Sequence, residues 1–71
     1  GTDVRAARNA AERAGVTING IAIESMGLAI TNFYRGAVIT RDGFVMTART
    51  HREYPATIRA KILRELSRIF G

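Results

Sequence analysis

Cysteine is absent from the 71 residues, and so is tryptophan. No disulfide framework and no thiolate metal site can therefore brace the chain. Two tyrosines and three phenylalanines leave few surfaces on which nucleic-acid bases could stack. No apolar run approaches the roughly 18 residues of a membrane span, and the first residues lack the apolar segment of a signal peptide. The expectation is soluble material, with any targeting signal outside this stretch. Acidic residues are also scarce: six Asp and Glu stand against eleven Lys and Arg, for a net charge of +5. Such a balance raises nucleic acid or an acidic surface as a partner.

What is present is enough to fold. Hydrophobic residues make up 46% of the chain, which argues against disorder and for one small domain spanning residues 1–71. Every basic residue except Lys61 is an arginine, and these are scattered rather than blocked. Scattered arginine on amphipathic helices reads first as a solvated face.

Asp3 can cap a helix over 3–14, with Val4, Ala7, Ala11 and Ala14 on one face, an alanine-rich stripe suited to close approach to a sheet. Gly15 then follows as a left-handed helix terminator. Next comes GVTINGIAIES, residues 15–25. Its Asn19-Gly20 pair is a strong hairpin signal, but the arms would hold only three residues each, too short to stand alone. A single strand over 16–23, apolar on both faces, suits a parallel sheet covered by helices. Gly20 would then let a helix come close.

Residues 24–27 read as a loop, and 31–39 as a short helix capped by Thr31, with Phe33 and Ala37 sharing a face and Gly36 weakening it. Asp42-Gly43 turns the chain into a short strand over 44–48. Thr50-His51-Arg52-Glu53 has the form of a capping box that opens the last helix. Tyr54, Ile58, Ile62, Leu66 and Ile69 form its apolar stripe, widened by Leu63 and Phe70. Pro55 is expected to bend its opening. The order is α-β-α-β-α, and a helix between two strands implies a right-handed parallel crossover. The fold class is therefore a small α/β unit with two parallel strands, both of them sheet edges unless something pairs with them.

Four segments, DVRAARNAAERAGVTINGIAI, NFYRGAVIT, GFVMTA and IRAKILREL, together resemble the C-terminal part of an uncharacterised bacterial family with a von Willebrand factor type A-like fold. The resemblance covers about residues 3–66. It implies that 16–23 and 44–48 are the last two parallel strands of a doubly wound, Rossmann-type sheet, and that the chain is a fragment of a larger domain. In that superfamily a divalent metal is held by an Asp-x-Ser-x-Ser loop and two further loops. The motif is missing here, so a metal would be held only through residues upstream, and no cofactor is expected in this chain.

Catalysis finds little support. His51 is the only histidine and no motif orients a nucleophile toward it, so it reads as a surface residue. Glu24 and Ser25 follow the first strand, where open α/β sheets place their ligand crevice, and form a candidate ligand-facing loop. Lys61, Arg64 and Arg68 share a row on the last helix and form a candidate basic surface, partly neutralised by Glu65. The expected function is a non-catalytic protein-interaction module, its partner either a missing N-terminal half or a second copy forming a homodimer. The alternative is a small basic nucleic-acid-binding domain.

Overall fold

A computed structural model describes residues 3–71. The first helix, α1 (Val4–Arg13), opens where the side chain of Asp3 accepts a hydrogen bond from the Arg5 amide at 3.0 Å. It closes at Gly15, whose φ of 73° is the left-handed conformation that glycine adopts without penalty. There the Val16 N–H donates to the Ala11 carbonyl and the Gly15 N–H to that of Glu12, the paired bonds of a Schellman ending.

No hairpin forms at Asn19-Gly20. The strand β1 is Gly20–Ile23, and it pairs in parallel with β2, Val45–Ala48, in the register Gly20 to Val45 through Ile23 to Ala48. The strand expected over 16–23 is thus half that length. Residues 16–19 are diverted from it: the Ile18 amide donates to the Thr40 hydroxyl at 3.0 Å, and the Ile18 carbonyl accepts from the Thr40 amide. They are held by the segment before β2, which leaves them no place in the ladder.

The connecting helix α2 is Ala29–Ala37, two residues earlier than expected. Thr31 is not its cap but lies in its first turn. Ala37 is fully buried, whereas Phe33 stays half exposed. The last helix, α3, is Tyr54–Phe70 rather than beginning at Thr50. Thr50 does accept from the Glu53 amide at 3.2 Å, but Glu53 returns its carboxylate to the Arg49 amide, so the reciprocal bond is displaced by one residue. Pro55 therefore falls in the first turn of α3, where a missing N–H leaves no helical bond unmade, and the expected bend has no cause.

Alternation along the strands assigns the helices to faces. Gly20, Ala22, Val45 and Thr47 share the face under α2: a Cβ on Gly20 would lie 2.9 Å from Tyr34 Cδ2, and the Thr31 and Thr47 hydroxyls are 2.7 Å apart. Ile21, Ile23, Met46 and Ala48 share the other face with Phe44, over whose ring the Arg64 guanidinium of α3 sits 4.1 Å from the centroid. The core is small, comprising Ala22, Ala37, Ile39, Phe44 and Ala48 with the polar residues Glu24, Thr31 and Thr40. Helix α1 packs against α2 rather than against the sheet its alanine stripe was expected to meet.

Candidate functional site

Glu24 leaves β1 at the carboxyl end of the sheet, as its place in the sequence implied. Its carboxylate turns inward and is buried. Oε1 accepts from the Ile30 amide at 3.0 Å, and Oε2 accepts from the Thr31 amide at 2.8 Å and from the Thr31 hydroxyl at 2.5 Å. The N-terminus of α2, whose own cap position is Leu28 with no side-chain bond, is therefore capped from a distance by a residue of the preceding strand end. The Thr31 hydroxyl holds the Glu24 carboxyl below its usual value. Burial opposes this, and the Thr31 and Ile30 amides and the charge of Arg49 add to it. Arg49 also donates to the Gly27 carbonyl at 2.6 Å, closing the loop over the same corner. Ser25 is exposed on that loop.

The amino end of the sheet carries a second polar assembly. The Asp42 carboxylate accepts from the Thr17 hydroxyl at 2.6 Å and the Thr40 hydroxyl at 2.8 Å, and these two bonds, Thr17 first, lower its pKa. Asn19, just before β1, links the residue preceding β2 to α3: its Oδ1 accepts from the Phe44 amide at 3.0 Å and its Nδ2 donates to Glu65 of α3 at 2.8 Å. Glu65, paired with Lys61 at 3.0 Å, is likewise lowered, first by Asn19 and then by Lys61.

The three cations of the row expected along α3 each have a partner within the fold. Lys61 is in an ion pair with Glu65, Arg68 donates to the Asp42 carbonyl at 2.6 Å, and Arg64 lies over Phe44. The three cations have three separate tasks. His51 is exposed in the turn before α3, with Arg52 and Glu53 beside it. Among the described residues, no group of three or more His, Asp or Glu side chains is placed to hold a metal ion.

Reading the sequence missed Asn19 and Arg49. The Asn19-Gly20 pair looked like a turn signal, yet its two residues serve opposite faces of the sheet: Asn19 ties β1 to α3 while Gly20 admits Tyr34 of α2. The available signal was the strand reading itself, since alternation puts neighbours on opposite faces. Arg49 carried no signal, because its partner is a backbone carbonyl 22 positions away.

A family model described as a protein of unknown function, DUF1194, matches residues 1–70, and the chain belongs to that family. Comparison with curated proteins and with solved structures finds no match in either.

Proposed function

We propose that this member of a family of unknown function is a non-catalytic protein-interaction module of von Willebrand factor A-like type, a partial α/β layer that docks against protein. The observation that carries the reading is the uncovered apolar surface of α3. Leu63, Ile69 and Phe70 are 67%, 72% and 83% exposed, and Ile62 and Leu66 nearly half exposed. The stripe that should bury a helix lies largely in solvent, and contiguous apolar surface of this kind marks an interaction face.

The free edge of β1 supports the same reading. Its Gly20 amide donates to Phe44 and the Glu24 amide to Ala48, so the even-numbered residues face β2. Ile21 and Ile23 consequently turn their amides and carbonyls to an edge that no strand covers among the described residues. A protein partner, either further structure of the same fold or a second copy, would satisfy both surfaces at once. The α-β-α-β-α order and the parallel pairing agree with the resemblance to the end of a von Willebrand factor A-like sheet.

Sedimentation across chain concentration, in 0.15 M and 1 M salt, tests self-association. Association through apolar surface is expected to persist at high salt and to be lost in Leu63→Glu and Ile69→Glu. A chain that stays monomeric at every concentration and binds no apolar dye overturns the proposal.

A further inference from the structure

Four arginines gather elsewhere. Between α1, the end of α2, the start of β2 and the middle of α3 lies a cavity of about 680 Å³, lined by Arg8, Arg35, Arg41 and Arg64. These four arginines come from three separated stretches of the sequence, and no charge run announces them. Glu12 is the single carboxylate on the wall, and it is occupied by the Arg41 backbone amide at 2.6 Å rather than by a guanidinium. Among the described residues the one ion pair is Lys61 with Glu65, so none of the four guanidiniums has a carboxylate within ion-pair distance.

The protein's own contacts hold part of this constellation in place. Arg8 donates through Nη1 to the Gly36 carbonyl at 2.9 Å and through Nε to Asn9 at 3.1 Å. Arg64 is fixed over the Phe44 ring at 4.1 Å. Arg35 reaches only its helix neighbour Asn32, at 3.1 Å. Much of each donor fork remains unspent. Like charges brought together around a concavity repel one another unless an anion lies between them, and guanidinium forks match phosphate oxygens in pairs.

We infer that this basin binds a compact ligand bearing two or more phosphate groups, a site independent of the apolar interaction surface of α3. The shape favours a compact anion over an extended nucleic-acid backbone. The volume falls in the range of roughly 300–1,000 Å³ usual for small-molecule sites, and the one ring at the wall, Phe44, is buried and already covered by Arg64, leaving no platform for a base.

Inorganic tripolyphosphate is the probe, titrated into the full chain by calorimetry at 0.15 M salt, with amide chemical shifts recorded in parallel. Saturable one-to-one binding is expected, with shifts centred on residues 35–45. Arg35→Ala and Arg41→Ala, whose side chains bond to no other element among the described residues, should each weaken it about tenfold, the loss of one charge-assisted contact. Arg13→Ala and Arg59→Ala, exposed positions outside the basin, should change it less than about twofold. Three results overturn the inference: no saturation, equal loss in the two control variants, or tighter binding of a ten-residue oligothymidylate than of tripolyphosphate. The second would mean diffuse charge, and the third an extended backbone as the ligand.

Discussion

The two faces of this sheet are built on different terms. Under α2 the contacts are close and closed: Ala22 and Ala37 are almost wholly buried, Tyr34 lies over Gly20, and the Glu24 clamp fixes the helix start. Under α3 the anchors are polar or cationic, namely Asn19 to Glu65 and Arg64 over Phe44, while the apolar stripe of the helix stays largely in water. A small-residue face can be finished by one helix of nine residues, because alanine and glycine let backbones approach and one well-placed carboxylate sets the angle. A face of large aliphatic side chains needs more area than two strands provide. The difference teaches that small residues let α2 seat closely on the sheet, whereas α3 is held chiefly by polar and cationic anchors with its largest apolar side chains, Leu63, Ile69 and Phe70, in water.

The comparison can be broken or sharpened by substitution. The largest effect is expected at Gly43, where a Cβ would lie 2.2 Å from the Ile18 carbonyl oxygen, backbone against backbone, at the joint beneath both faces. Gly43→Ala should destabilise by about 3 kcal/mol in urea unfolding, the upper part of the range for overpacking. Next comes Ala37→Leu on the closed face, expected to remove about 2 kcal/mol because no space exists for the added carbons. Gly20→Ala should cost about 1 kcal/mol, since the neighbour is the ring of Tyr34 and can turn aside. A double-mutant cycle with Tyr34→Ala should recover most of it. On the open face, Leu63→Ala should stay within about 0.5 kcal/mol, as expected for an exposed side chain. A loss there as large as that of Ala37→Leu would mean that the two faces do not differ.

A pH series changes the slope of stability rather than its height. Glu24, Asp42 and Glu65 all have native pKa values below their ordinary ones. Each therefore contributes stability that is fully present above its unfolded pKa and is lost as pH falls through the depressed native value, where the unfolded chain holds the extra proton. The urea midpoint should thus be flat near neutrality and fall through the acidic carboxylate range. Glu24→Gln should shallow that fall on the α2 side, while Asn19→Ala should shallow it through Glu65 on the α3 side. An unchanged acid limb in both variants would refute these clamps.

Much of the architecture was legible from local pattern. The end of α1 at Gly15, the parallel crossover and the apolar stripe of α3 follow from periodicity and from the one residue type that accepts a positive φ. The errors fell where a distant group intervenes. Thr31 looked like a helix cap because caps are usually local, whereas Glu24, seven residues earlier, takes that task and draws the helix start back to Ala29. The strand at 16–23 looked continuous because its hydrophobicity is, but Thr40 claims the backbone of Ile18. For the row of Lys61, Arg64 and Arg68, helical spacing gave the alignment but not the separate partners that each cation has in the fold.

By itself, then, the sequence determined element types, their order and the direction of pairing, because these depend on near neighbours, on side-chain period and on the handedness of a crossover. Only the tertiary structure decided which carboxylate caps which helix, which apolar stripe remains uncovered and which arginines share a cavity. Those outcomes depend on groups from different elements, from six or seven positions apart at the Glu24 cap to 46 between Asn19 and Glu65, meeting at angstrom distances, and no local regularity in the chain encodes such a meeting.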